Sequence, residues 1–439
     1  MPDLESRDRS PAWTWLICGI LFLATLVNYA NRVTVTQRSV EIIATFETDR
    51  EGYGKAEGKF GYGFALGGLV FGVLADWISI RWLYPLVVLA WSAAGVASGQ
   101  STTLEQFGTC RFLLGLFEAG HWPCALRMTQ RTFLPHERTR GNGILQSGAS
   151  AAQVLVPLAL LQLDATDSSG WRLSCRIMGA LGLPWALLWL ASVRERDVRR
   201  PVIQTDEHAA GTGRSQEIQE IPLGRVFASK RWWLLLVTVV AINVPWHYIR
   251  VWMPDTLRTD HKYAKAFVDD FSAVYYTSTF FGSLWAGWIV GWLARRGWNV
   301  HRARLVTFAV FALLVACSVP AAFQPRGPVL LGLLLLIAFG SLGVAPIYYS
   351  LNQEMSGRNQ GKVGGSLSFL LWLILGAMQG AIGQRVKDDP AIRPYLFAAV
   401  GLLPLVACVL LALFWGKRPD HKPVVPTGAP AGIDGELGA

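Results

Sequence analysis

The sequence predicts an all-α integral membrane protein, with twelve transmembrane helices arranged as two pseudo-symmetric six-helix bundles. Three observations predict it. Only 16% of the 439 residues are charged and 52% are hydrophobic, where a soluble chain carries about 25% charged residues. The apolar residues are gathered in blocks rather than spaced at a helical or strand period, and most blocks approach the ~20 residues that cross a bilayer. Many of the 19 Trp, among them Trp13, Trp77, Trp82, Trp232 and Trp415, stand at block edges, where an amphipathic ring suits the headgroup layer.

Taken in order, residues 1–12 form a short N-terminal segment and the first bundle covers 13–192. Its spans run from Trp13 to Gln37, Phe60 to Trp77, Trp82 to Gly99, Leu104 to Met128, Arg140 to Leu163 and Leu173 to Ser192. The first block is too long for the apolar core of a signal peptide and no small-residue cleavage site follows it, so it is expected to remain as a span. A charged linker over 193–231 separates the halves. The second bundle, 232–416, has spans from Trp232 to Leu257, Phe267 to Leu293, Arg304 to Phe323, Val329 to Tyr349, Lys362 to Gln384 and Pro394 to Trp415. Residues 417–439 are rich in Pro, Gly and Ala and are expected to be a disordered tail.

Six spans, a linker and six more suggest two repeats around a central cavity. The stretch Gly72-Val-Leu-Ala-Asp76-Trp-Ile-Ser-Ile-Arg81 after span two is echoed by Gly287 to Gly297 after span eight, each ending in basic residues. Asp76 and Arg81 are therefore expected to latch helices on one face in one conformation and release them in another. Basic residues between spans, such as Arg7, Arg81, Arg138, Arg140, Arg295 and Arg296, fall mainly on the side that holds both termini. By the positive-inside rule that side is cytoplasmic, in an inner cell membrane.

The formal charge of +10 does not indicate nucleic acid, because the basic residues sit in short loops and form no tract or stripe. The six Cys lie in or beside apolar blocks without metal-ligand spacing and read as small hydrophobes. No Gly-Lys phosphate loop and no Ser-His-Asp or metal cluster stands in the loops, so the chain is not expected to be an enzyme or to need a cofactor.

The chemistry lies in the few polar groups inside the spans, since a charge in a bilayer is retained only where it meets a cavity or a partner. Arg32 lies inside span one, with Asn28 one turn before it. Arg111 and Glu118 lie on span four, seven residues apart and so on one face. A guanidinium stays charged and binds a carboxylate bidentately, which points to an anion as cargo. Arg111 has a second reading, a pair with Glu118 or another helix that holds the bundle together. Glu118, the only carboxylate placed well inside a span, is the candidate proton carrier; its alternative is a permanently bonded structural acid. His121, one turn on, relays to it or packs the helix. Asn243, His247 and Arg250 share a face of span seven beside aromatics, as a sugar-acid pocket needs, though Arg250 also suits snorkelling to the headgroups. Gln146, Ser150 and Gln153 form a stripe on span five. Asn352 ends span ten beside Tyr348, Tyr349 and Gln353, lining a vestibule or an interface.

These residues resemble the major facilitator superfamily. The stretch Gly72 to Arg81 is similar to its Gly-x-Leu-x-Asp-Arg-x-Gly-x-Arg signature, with Trp77 and Ser79 as departures. Asn28-Tyr29-Ala30-Asn31-Arg32 and Arg111 to Pro123 resemble the anion:cation symporter branch, and Gly340 to Gly365 its hexuronate-type members. The resemblance implies a secondary active transporter of a small organic anion, a hexuronate or related sugar acid, coupled to protons and working as a monomer in the lipid bilayer. It places Gln146 at a substrate-contacting position. Asn31 stands where the branch usually has a proton-coupling Asp, and Phe64 where many sugar-acid members have a Tyr. Asn31 motivates an uncoupled uniporter or an anion exchanger as the alternative. A membrane sensor that binds solute without moving it is the alternative of another class.

Overall fold

Ser10 shows how the first helix starts: its side chain accepts the backbone N–H of Trp13, and Pro11 takes the first turn, where its missing N–H costs nothing. From there the computed structural model, which describes residues 10–166, 170–199, 202–205, 215–217, 223–356 and 358–415, is a succession of long helices. The first half holds Pro11–Gln37, Arg50–Trp77, Ile80–Ser98, the pair Leu104–Glu118 and His121–Thr132, Arg138–Thr166, and Gly170–Ala180 continued by Gly182–Ser192. The second holds Lys230–Thr259, Lys265–Arg295, Val300–Ala316 continued by Ser318–Ala322, Pro328–Gly343 continued by Ala345–Asn352, Gln360–Asp388 and Arg393–Phe414. These are the twelve predicted rods, numbered here as spans one to twelve.

Ten of the rods are long and apolar enough to cross a membrane by length and composition. The other two are spans four and eight. Span four carries Arg111, Glu118 and Arg127, and span eight is rich in Ser, Thr, Tyr, Gly and Trp, which lowers its hydropathy without shortening the helix. Large apolar side chains such as Leu86, Leu158, Leu187, Leu313, Val409 and Leu413 are exposed on the outer faces, where lipid replaces a protein core. The linker between the halves contains short helices and one antiparallel ribbon pairing Ile203–Thr205 with Ser215–Glu217. Span two begins at Arg50, ten residues before the predicted Phe60. Asp49 caps it by accepting the Gly52 N–H.

The bundles meet chiefly through span two against span eleven and span five against span eight. The face of the molecule nearest the linker, the linker face, is closed. There Gly72, Gly361 and Gly365 pack backbone to backbone: a Cβ on Gly72 would sit 2.5 Å from the Gly361 carbonyl oxygen, and one on Gly365 2.3 Å from that of Gly68. Gly54 and Gly58 continue the same face of span two toward the opposite, distal end, and Gly376 and Gly383 continue that of span eleven. A Cβ added at any of these four meets open space. The two helices touch at the linker face and part toward the distal one.

Candidate functional site

Between the bundles lies a cavity of roughly 1000 Å³, counting its open mouth. Span one contributes Tyr29 and Arg32 to its wall; spans two, four and five contribute Phe64, Trp122 and Gln146. The second bundle contributes Asn243, Trp246 and His247 from span seven, Tyr348, Tyr349 and Asn352 from span ten, and Gln360, Ser368 and Trp372 from span eleven.

Arg32 is the charged group of this lining. Its Nε donates to Glu118 Oε2 at 2.6 Å and its Nη2 to Asn28 Oδ1 at 3.0 Å. The rings of Tyr29, Phe60 and Phe64 lie 4.9, 4.8 and 4.7 Å from its guanidinium carbon. Aromatic faces and one carboxylate thus hold an 8%-exposed cation at the edge of a hollow. Glu118 is fully buried behind it, and its other oxygen, Oε1, has no hydrogen-bond partner among the described residues. Asn28 also sits behind the wall, its Nδ2 donating to the Glu118 carbonyl at 3.3 Å.

Other predicted residues fall elsewhere. Arg111 does not line the cavity. It is fully buried and makes a two-pronged ion pair with Glu57, Nε and Nη2 donating at 2.6 and 2.7 Å. Glu57 corrects the expectation that Glu118 is the only carboxylate inside a span, because the longer span two carries it into the bundle. The Phe60 ring lies between the two cations, 4.8 Å from Arg32 and 4.9 Å from Arg111. His121 packs within the first bundle: Nδ1 pairs with the Tyr84 hydroxyl at 2.7 Å and Nε2 with Thr25 Oγ1 at 3.1 Å. Asn31 is buried against Gly95 of span three and also lies off the lining.

In the second bundle, Asn243 and His247 line the cavity while Arg250, further toward the distal end, does not. His247 meets the edge of Trp372 at 5.6 Å, and Trp372 packs on Phe64 at 4.6 Å, so one indole links the halves. Gln146 accepts the Tyr349 hydroxyl at 3.0 Å, a bond from span five to span ten. Asn352 is on the lining and 1% exposed.

The linker-face closure is a bonded network. Asp76 pairs with Arg127 and accepts the backbone N–H of Gly361 at 2.8 Å and of Lys362 at 2.9 Å. Gln130 Nε2 donates to the Gln353 carbonyl at 2.6 Å, and Asn142 Nδ2 donates to Gln353 Oε1 at 2.9 Å. Arg304 pairs with Glu354 and reaches across to Thr139 Oγ1 at 3.3 Å. Arg81 is not brought to Asp76; its guanidinium lies over the Trp82 ring at 5.1 Å. Arg127, Gln130, Asn142 and Arg304 were not singled out from sequence. Their partners stand up to hundreds of residues away, and only Arg127, a charge near the end of an apolar block, left a readable mark.

Two helical bundles around a cavity of aromatic and aliphatic walls set with a few polar groups, closed at one face, define a membrane carrier. The sequence profile described as Major Facilitator Superfamily matches residues 20–381, and the chain belongs to that superfamily, whose members are transporters and not enzymes. It is 22% identical over 414 residues to a D-galactonate transporter of Escherichia coli, covering 90% of this chain and 95% of that one. It is 25% identical over 454 residues to the probable galactarate/D-glucarate transporter GudP of Escherichia coli, covering 96% and 97%. The hexuronate transporter of Escherichia coli is 19% identical over 418 residues, covering 92% and 94%. Among solved structures, the proton:xylose symporter XylE superposes with a TM-score of 0.74 at 13% identity, over 92% of this chain and 96% of that one. The human organic anion transporter MFSD10 superposes with a TM-score of 0.67 at 14% identity, over 92% and 100%. These two establish the fold.

Proposed function

We propose that the chain is a secondary transporter working by alternating access, that it carries a small organic anion of the sugar-acid class such as a hexuronate, and that a proton moves with the anion. The observation that carries this reading is Arg32, a guanidinium on the cavity wall whose bonding partner is Glu118. An incoming carboxylate and the Glu118 carboxylate compete for the same donors. Protonating Glu118 frees Arg32 for the anion, and deprotonating it takes the cation back, so one pair ties anion binding to proton binding. Gln146, Asn243, His247 and Asn352 offer groups for hydroxyls, and Trp122, Trp246 and Trp372 offer flat faces for a sugar ring. The transporters of D-galactonate, galactarate or D-glucarate, and hexuronate among its relatives support the same class.

In this reading the linker face is cytoplasmic, both termini lie there, and the protein works as a monomer in the inner cell membrane. Its structure, shut at the linker face, is the outward-open state. The network around Asp76 and Arg127 is the inner gate; Arg111 and Glu57 brace the first bundle. The Asn31 position favours a second reading, an exchanger or uniporter without proton coupling: it is neutral, its amide donates to the Val27 carbonyl, and it lies off the cavity. Uptake of labelled galacturonate or glucuronate into proteoliposomes, with and without an inward proton gradient, separates these. Gradient-driven uptake is expected. Uptake of no sugar acid would sink the cargo assignment, and binding without flux would make the protein a sensor. Gradient-independent uptake, unchanged in Glu118→Gln, would select the exchanger or uniporter.

A further inference from the structure

We infer that the linker-side floor of the cavity is a hydroxyl-binding subsite built from Gln360 and Asn352, and that it selects polyhydroxylated acids of about six carbons over plain ones. The inference rests on the organic-anion reading above and adds which end of the cargo meets which bundle. Both side chains line the cavity and both are 1% exposed. Neither the Oε1 nor the Nε2 of Gln360, nor the Oδ1 of Asn352, has a hydrogen-bond partner among the described residues.

Their sequence neighbours are fully engaged. Gln353, next to Asn352, donates to the Leu126 carbonyl at 2.7 Å and to Thr129 Oγ1 at 2.6 Å. Gly361, next to Gln360, donates its N–H to Asp76. Of the unpartnered amide atoms, those of Gln360 and Asn352 are the ones that border the hollow, while Gln130 Oε1 is unmet off the lining. Buried amides in a folded protein nearly always have partners, so unmet ones in a cavity wall mark where a ligand or water hydroxyl completes the bonding.

The chemistry of the floor sets orientation. An amide presents both a donor and an acceptor, as a hydroxyl requires, and carries no charge to draw the carboxylate away from Arg32. The spacing sets length. Arg32 lies over Phe64, which packs on Trp372. The Asn352 Nδ2 lies 3.5 Å from the point that a Cβ on Gly364 would occupy. Gly364 and Trp372 are eight residues apart on span eleven, about 12 Å at the helical rise. On that scale a six-carbon acid with a hydrogen bond of about 3 Å at each end is long enough to extend from the Arg32 side toward the Asn352 side, and a two-carbon acid is not.

The test uses the full chain in proteoliposomes and reads quenching of the cavity tryptophans by D-galacturonate and by hexanoate, which has the same carbon count and no hydroxyls. Wild type is expected to prefer galacturonate. Gln360→Met and Asn352→Leu, which keep volume and remove the amide, are each expected to weaken galacturonate by about fivefold, the ordinary worth of one net hydrogen bond. They should leave hexanoate unchanged, and the melting temperature should hold or rise, because an unmet buried amide has been removed. Unchanged galacturonate affinity in both variants overturns the subsite. So does equal weakening of both acids with a lowered melting temperature, which would show a structural role. A wild type that binds neither acid overturns the hexuronate cargo assignment, and the subsite falls with it; a wild type that binds galacturonate beside unaltered variants removes the subsite alone.

Discussion

The two bundles face one cavity with different chemistry. The first supplies Arg32, backed by Glu118, and holds the buried Arg111, paired with Glu57, against the same Phe60 ring that touches Arg32. The second supplies Asn243, His247, Ser341, Asn352, Gln360 and Ser368 together with aromatic rings, and no Arg, Lys, Asp or Glu of that bundle is on the lining. The same division recurs at the linker face. Asp76 with Arg127, like Arg32 with Glu118 at the cavity, is a pair within the first bundle; Arg304 with Glu354 is a pair within the second. The described bonds that cross between bundles pair a charge with a neutral group, or two neutral groups, as with Asp76 to Gly361, Arg304 to Thr139, Gln130 to Gln353 and Tyr349 to Gln146. Breaking a buried ion pair costs about 3–5 kcal/mol, whereas a neutral hydrogen bond is worth about 1 kcal/mol net. Ion pairs thus keep each bundle rigid, and weaker bonds hold the two together where they must separate.

The sharpest way to break this comparison is to remove the charge from the first bundle's wall. Arg32→Ala is expected to abolish sugar-acid uptake and raise Kd by at least about 100-fold, the scale for losing one partner of a buried charge pair. Arg32→Lys keeps the charge, loses the two-pronged geometry and is expected to fall between. Tryptophan-quenching titrations measure both; an affinity that survives Arg32→Ala would move the anion to the second bundle.

Next in size is the pair off the cavity. Glu57→Gln leaves Arg111 buried without its counter-charge, and a stability loss of about 3 kcal/mol is expected in thermal or denaturant unfolding. Substrate affinity should barely move, since neither side chain lines the cavity. A large affinity loss without destabilisation would make Arg111 a binding residue.

Glu118→Gln tests the coupling. In wild type, raising pH ionises Glu118, which then competes with the cargo for Arg32, so anion binding should weaken as pH rises. The variant keeps a neutral partner at all pH values. Its binding should be flat with pH, and its uptake indifferent to a proton gradient, while substrate exchange persists. A pH profile identical to wild type would remove Glu118 as the proton site.

What the sequence made legible follows from range. Apolar blocks are local, and they marked the rods. Buried charges such as Arg32 and Glu118 stand out against apolar neighbours, and they marked the acid–base pair. Glu57 was missed because Arg50 to Lys59 is rich in Gly and charge and resembles a loop. The Asp49 cap with Glu51 in the first turn was the available signal that the helix starts earlier. Arg127 with Asp76, Gln353 with Asn142, and the orphaned Gln360 depend on how two bundles meet, which no local pattern records. Gln360 in particular looks like an ordinary polar residue at a helix start until the cavity is seen beside it.

The smallest expected effect separates two residues that sequence reasoning had joined. Asp76 bonds across the bundle boundary to two backbone N–H groups, and Arg81, five residues on, lies over Trp82 and makes its bond across the first bundle through its carbonyl, which accepts Trp189 Nε1 at 3.0 Å. Arg81→Ala removes neither the backbone bond nor any link between bundles, so stability and uptake should stay near wild type, within the roughly 0.5 kcal/mol usual for such sites. Asp76→Asn weakens the pairing with Arg127 and two of the crossing bonds. It should shift the population toward a linker-open form, read as a longer distance between probes at the linker ends of spans two and eleven. If Arg81→Ala lengthens that distance as much as Asp76→Asn, the latch extends into the loop, and the division between ion pairs within bundles and weaker bonds across them fails at the linker face.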